Sequence, residues 1–555
     1  MRFLLLALSF CVSTLATAQV PVNLNSSNIT FPGTFEDQPD SIFLRLTNTG
    51  MEPSEVEAAV ILGTYPIFDQ PAFSVSPAQL VLPANGVDSF SIKFSPRHNI
   101  QHVSTLVLTT GAGEIAVELE GQGKYRNTYY VSTENTSEEA LKSALRTRLA
   151  QGYRQLSYNA ARDRMFLEID NQRLNGQGAS VNTLECVYTG RQITGYTSRS
   201  AAQSQGNFNT EHTYPRSFFN SNLPMQSDIH HLFPTDQTAN SRRANFPFGT
   251  VSGSASWQVG GSKLGTNNVF EPRDQHKGLV ARAMIYYLLR YGNDGGFFTS
   301  QEAILRQWHE DFPPTSIDQN RNDGIFREQN NRNPLVDYPQ FLERIQSLSS
   351  SSSQPMTSKL VLAQDTVTVE QFPAQGQYYP VIIANEGTVP LEVGAVIASL
   401  PAIRINNLPS FPLTIDPGTF FELQLTFDTS ADSLFPAALT ISSDATEGLQ
   451  EQVLPFVAGT NLNVSLEDRF PAWGKPSFFP NPASEFLSLK WEAGLTGNID
   501  IRLMTLQGEV LWEGRLHEGS TGMEIPISPA WANQTLLLTL DYQGVIWQEK
   551  VILHR

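Results

Sequence analysis

The stretches "NFNTEHTYPRSFF" (residues 207–219) and "MQSDIHHLFPTDQTANSRRANFPFG" (residues 225–249) concentrate the chemistry-bearing side chains of this chain. Their order suggests a broken strand, a connection and a helix opened by a cap at Thr235 or Asp236. On that helix Asn240 and Arg243 share a face, being three residues apart. Glu211 offers a hard oxygen and His212 a base that is neutral near pH 7. A carboxylate with an amide oxygen suits Mg²⁺ or Ca²⁺, with waters or phosphate oxygens completing the shell. A neutral His beside that ion could take a proton from water, and an Arg could steady a pentavalent phosphorus. Geometry raises an objection: neighbours on a regular strand point to opposite faces, so Glu211 and His212 need a strand end or a bulge to share one site. Pro215 is consistent with such a break. The residues alone leave two readings open, a one-metal phosphodiesterase and a structural Glu-His pair.

Around this region the patterning is mixed. "TSEEALKSALRTRLAQGY" (136–153) predicts an amphipathic helix with a Thr/Ser cap and acids in its first turn. "EPRDQHKGLVARAMIYYLLRYG" (271–292) predicts a second, burying one face through Leu279 and Ala283 and stopped by Gly292. Helices beside strands make residues 124–346 an α+β domain, closed by a flexible Ser-rich linker at 347–355. The flanks differ in kind. "SIFLRLTNTG" (41–50) and "YYPVIIANEG" (378–387) each open a series of alternating strands in the same order. That implies two copies of one all-β sandwich, at 19–123 and 356–461. The tail, 470–555, alternates between Gly turns and reads as a third small β-sandwich.

The first 18 residues have a charged start, a short apolar core and a small-residue Ala16-Thr17-Ala18 site, the pattern of a signal peptide. Cys11 lies within it, so Cys186 is left alone and stability must come from burial. The net charge of -17 is unevenly spread: residues 124–346 hold 24 Lys plus Arg against 21 Asp plus Glu, and 20 of those cations are Arg. The acid therefore sits outside the middle domain, which permits a polyanionic partner.

"NTEHTYPRSFF … SDIHHLFPTDQTANSRRANFPFG" resembles the signature of the secreted bacterial endonuclease I family, a ββα-metal nuclease. The resemblance extends through "LSYNAARDRMFLEID" (156–170), "VYTGR" (187–191), "FEPRDQHKGLVARAMIYYLLRYG" (270–292) and "NNRNPLVDYPQFLERI" (330–345), and covers none of the flanks. It implies an exported enzyme that hydrolyses phosphodiester bonds of DNA, with RNA a further substrate, and has little sequence preference. It makes His212 the general base and Glu211 and Asn240 the ligands of one Mg²⁺, with Ca²⁺ or Mn²⁺ as alternatives. Arg243 is assigned to phosphate contact, and Asp228, His230 and Asn245 to supporting roles. The flanking sandwiches resemble immunoglobulin-like modules. The tail, with Phe479 to Ala483, Gln507-Gly508 and Lys550 to Arg555, resembles the type IX secretion sorting domain of Bacteroidetes. This implies contact with an export machinery and a secreted or outer-surface location. Two rivals stand beside this reading: a zinc hydrolase using His212, Asp228, His230 and His231, and a non-enzymatic surface binding protein with a relic nuclease domain.

Overall fold

The computed structural model describes residues 22–555 except 66–70, 293–295, 354, 374–375, 430–433, 460–476, 480–482, 484, 492–497, 506–509, 532–533, 543–544 and 554–555. The stretch read as a signal peptide, the Pro-Asn-Pro opening of the tail, Gln507-Gly508 and the last two residues lie outside the described residues.

The two flanking sandwiches share one topology. In the first, Val22–Leu24, Asp40–Asn48, Val87–Phe94 and Phe73–Ser76 form a four-stranded sheet in that order. Its partner sheet runs Asn28–Phe35, Gly113–Lys124, Gln101–Thr110, Ser54–Tyr65, Leu80–Leu82, with the first pair parallel. The second sandwich repeats this, its parallel pair being Val367–Val369 with Glu451–Ala458. The repetition reaches single hydrogen bonds. In "NTG" the buried Asn48 donates to the Glu52 carbonyl at 2.8 Å and accepts from Gly50 N–H at 2.8 Å. In "NEG" Asn385 does the same with Val389 and Gly387, both at 2.8 Å. A side-chain amide that feeds the turn's own backbone closes each strand without orphaned polar groups. The tail forms a third pair of sheets over a core that includes Leu487, Leu489, Ile501, Leu536 and Leu538.

The first two sandwiches, far apart in sequence, pack directly on each other. Val107, Ile382 and Ala384 make a small apolar patch, and beside it the Glu114 carboxylate accepts from Ile382 N–H at 2.6 Å and Gln364 at 2.7 Å. The α+β domain leaves the first sandwich and docks back on it. Arg344 donates to Asn99 Oδ1 at 2.6 Å, and Glu343 pairs with Arg97 at 2.6 Å.

Within that domain, helix α1 (Glu138–Ala150) and α2 (Tyr158–Arg164) precede strand β1 (Phe208–His212). Strand β2 (Leu232–Asp236) and helix α3 (Gln237–Arg243) follow without a break, then α4 (Asp274–Tyr291), α5 (Glu302–Asp311) and α6 (Ser316–Gln329). Three expectations are corrected. Ser137 stands at the α1 cap, but its side chain makes no capping hydrogen bond. Helix α4 is buried on every side from Val280 to Arg290, while Leu279 is only half-buried; it is the domain's central helix, not a one-faced surface helix. The Ser-rich segment is not a free linker. Glu302 accepts from Leu348 N–H at 2.6 Å and Ser349 N–H at 3.1 Å, and Lys142 donates to the Ser347 and Ser350 carbonyls at 2.9 Å. Buried Leu348 anchors it to the domain core.

Candidate active site

β1 and β2 pair antiparallel in uninterrupted register, from Phe208 opposite Asp236 to His212 opposite Leu232. No bulge occurs at Glu211-His212, so the bend that would turn both side chains into one site is absent and they leave opposite faces of β1; His212 is the last residue of the strand. The two side chains enter different surroundings, as strand geometry dictates.

His212 is 6% exposed. Its Nε2 lies 3.1 Å from the Gln226 carbonyl, which can only accept, so Nε2 carries the hydrogen. Nδ1 then holds the lone pair, and no described residue donates to it. Burial, followed by the nearby imidazole of His231 and the charges of Arg216 and Arg162, keeps this histidine well below its ordinary pKa. It is a neutral base, oriented by one backbone carbonyl. His231 stands edge-on 5.6 Å away and is held likewise, through Nε2 to the Met225 carbonyl at 2.7 Å.

Glu211, 2% exposed, sits among other groups. Tyr188 donates to its Oε1 at 2.8 Å, and Arg243 Nε lies 3.3 Å from the same oxygen. That Nε–H makes no hydrogen bond; the contact is one of charge, without the alignment of a strong ion pair. Burial pushes the Glu211 carboxyl up to about 7, against the pull of Arg243 and Tyr188. Arg243, expected to meet phosphate, is 1% exposed. Its terminal nitrogens are spent on the Thr213 carbonyl at 2.6 Å and the Ala244 carbonyl at 3.0 Å, with Phe248 beneath the guanidinium. In this arrangement it faces Glu211 and the backbone rather than solvent.

Asn240 reaches the site from α3, which Asp236 caps through hydrogen bonds from Thr238 N–H at 2.8 Å and Ala239 N–H at 3.2 Å. Thr210 pairs with Pro234 on β2 at a position where neither backbone faces the other strand, so the Thr210 carbonyl points to the open edge of β1, and the Asn240 amide donates to it there at 3.3 Å. The amide nitrogen is thereby fixed and Oδ1 left open. Glu211 Oε2 and Asn240 Oδ1 both take no hydrogen bond from the described residues. Two open hard oxygens, one on a carboxylate whose burial opposes its charge, fit a single divalent cation that keeps waters in its remaining positions.

Asp228 and His230 are brought close to this centre but are committed elsewhere. Both oxygens of Asp228 are occupied, and His230 Nε2 contacts the Asn331 carbonyl at 3.2 Å. Asn245 is exposed beyond α3. Among the described residues no three His, Cys, Asp or Glu side chains converge as a metal site, so the zinc set of His212, Asp228, His230 and His231 is not assembled. Sequence reading missed Tyr188, which orients Glu211, and Gln226, which acts through its backbone. Only Tyr188 left a signal, in the quoted "VYTGR".

Two adjacent strands are followed at once by a capped helix, with a neutral histidine at the end of β1 and open oxygens on Glu211 and on Asn240 of α3. Residues 137–340 match the family model for endonuclease I. The extracellular ribonuclease of Bacillus amyloliquefaciens is 30% identical over 236 residues, which span 39% of this chain and 78% of that protein. The extracellular ribonuclease of Bacillus subtilis is 29% identical over 240 residues, 40% of this chain and 78% of that protein. An extracellular deoxyribonuclease of Aeromonas hydrophila is 29% identical over 117 residues, 20% of this chain and 50% of that protein. The chain belongs to the endonuclease I family and is a nuclease, a phosphodiester hydrolase. Nucleases of this family depend on a metal ion.

Removing the guanidinium that faces Glu211 leaves a buried carboxylate without its cation. Arg243→Met is expected to lose about 3–5 kcal/mol of stability in denaturant unfolding, the cost of stranding one partner of a buried pair. Stability within experimental error of the parent contradicts the pairing.

Proposed function

We propose that the protein is an exported, Mg²⁺-dependent endonuclease that cleaves DNA and RNA with little sequence preference. His212 is the general base, and Glu211 and Asn240 hold the ion. The observation that carries this reading is the His212–Gln226 hydrogen bond, which fixes the tautomer and leaves Nδ1 free beside the end of β1. With family relatives named as ribonucleases and as deoxyribonucleases, both polymers are proposed as substrates.

The open edge of β1 reconciles the two faces. Asn240 is bonded at that edge, on the Thr210 carbonyl, and the reaction is proposed to take place there, served by Glu211 from one face of the strand and by His212 from the other. A water at this edge gives its proton to His212 Nδ1 and attacks phosphorus as hydroxide. The Nε2–H bond to Gln226 then stabilises the imidazolium that forms, since a backbone carbonyl is a better acceptor for a charged donor. When bound, a divalent cation supplies charge for the phosphorane oxygens and the leaving oxygen. Tyr188 and Arg243 keep Glu211 aimed and favour its ionised form. Because burial holds the histidine neutral, its basic form persists through neutral and mildly acidic pH. Contact with the polymer is mainly through phosphates, so binding weakens steeply with salt.

The tail is proposed as a sorting module read by an export machinery, an inference supported by its separate core and its resemblance to such domains. Deleting residues 470–555 should leave the enzyme behind the outer membrane of a producing cell; undiminished release contradicts that role.

His212→Ala is expected to lower kcat by about 10²–10⁴-fold while DNA binding and unfolding stay near the parent. Asn240→Ala should instead raise the Mg²⁺ concentration needed for half-maximal cleavage. Unchanged kcat in His212→Ala refutes the base assignment, and an unchanged Mg²⁺ requirement in Asn240→Ala refutes the ligand assignment.

A further inference from the structure

On the His212 side of β1 stands a group of cations with few acids to match. Arg162, on α2, donates through Nε to Thr210 Oγ1 at 3.0 Å. Thr210 is buried, precedes Glu211, and shares a face with His212 two residues on. The Arg162 guanidinium lies 5.1 Å from the Tyr158 ring, and Arg216 lies 5.5 Å from the same ring. That ring is itself 5.6 Å from the His212 imidazole. Tyr158 therefore joins both arginines to the base.

The balance of charge and donors is unusual for a resting site. Neither Arg162 nor Arg216 forms an ion pair with a described residue; Asp163, the acid next to Arg162 in the chain, is paired with Arg199 at 2.7 Å. Arg216 spends its donors on neutral groups: Nε on Ser221 Oγ at 3.2 Å, and Nη2 on the suitably turned Gln226 amide at 2.9 Å. Arg162 is half-buried, and its Nη1 and Nη2 donate to no described residue. Burial and the charges of Arg199 and Arg216 work against its protonation, and Tyr158 and Asp163 offset them only in part. A planar fork tied at Nε and open at both Nη atoms is preorganised for two oxygens of a phosphate.

Building on the reading of His212 as the base of a nuclease, we propose that Arg162, set by Thr210 and backed by Tyr158, is a binding residue for a phosphate of the nucleic-acid backbone beside the scissile bond. Its role is to hold the strand against β1 while the base acts. It contacts no base edge, so its contribution is the same for every sequence.

Binding of a short fluorescent DNA duplex is measured by anisotropy on the full-length His212→Ala protein with Mg²⁺, over a series of salt concentrations. Adding Arg162→Met should weaken binding equally for two unrelated sequences and reduce the slope of log Kd against log salt by about 1, one phosphate contact. Adding Arg162→Lys in its place, which keeps the charge but not the fork, should weaken binding while preserving the slope. An unchanged slope in Arg162→Met, or an equal loss of slope in Arg162→Lys, overturns the subsite while leaving the base assignment intact. Absence of DNA binding by the His212→Ala parent overturns both this subsite and the functional reading on which it rests.

Discussion

The carboxylate of Asp228 is wholly buried, and the site's geometry hangs on it. Its Oδ2 accepts from Tyr286 at 2.8 Å, Arg290 at 2.7 Å and Tyr291 at 2.8 Å, all on the central helix α4. Its Oδ1 accepts from Gln329, at the end of α6, at 2.9 Å and from His230 N–H at 3.2 Å. Burial opposes its ionisation, but Arg290 and the ring of donors hold it well below the usual carboxylate range. A charge so placed is costly to strand, and its partners lie on two helices remote in sequence. Asp228 thereby fixes the connection between β1 and β2, which presents the Gln226 carbonyl to His212 and the Met225 carbonyl to His231.

Two opposed demands meet at β1. A buried carboxylate is pushed toward neutrality and a buried imidazole is kept neutral, both by loss of water. For a histidine proposed as a base this is the useful state. For Glu211 it is not, and Tyr188 and Arg243 compensate on the face that His212 does not occupy. Placing the proposed base and the proposed metal ligand on opposite faces of one strand separates two electrostatic environments that would interfere if shared. Asn240 is bonded between them, at the open edge of the strand.

Much of this was legible in the chain because it rests on local signals. Asp236 caps α3, the apolar runs of "SIFLRLTN" and "YPVIIAN", each ending at a turn, mark equivalent strands, and Gly292 stops α4 with a positive φ of 91°. Glu211, His212 and Asn240 were readable as a donor set, although whether they serve one site depends on register, which no local pattern fixes. What could not be read comes from distant segments. Tyr188 and Arg162 reach β1 from 23 and 48 residues away, and Gln226 contributes only a carbonyl, which every residue possesses. Arg243 was misplaced because an arginine in a helical motif looks the same whether it turns outward to phosphate or inward to a carboxylate. The Ser-rich segment resembled a linker by composition, yet Glu302 and Lys142 supply the partners that its backbone needs.

The central claim is that His212 is held as the Nε2–H tautomer, with Nδ1 free to accept a proton. Long-range proton–nitrogen correlation spectra of the protein with ¹⁵N-labelled histidine, near neutral pH and with the His212 signals assigned by substitution, test this most directly. The expected result is a protonated Nε2 and an unprotonated Nδ1 on His212. A proton on Nδ1, alone or as part of an imidazolium, would contradict the account.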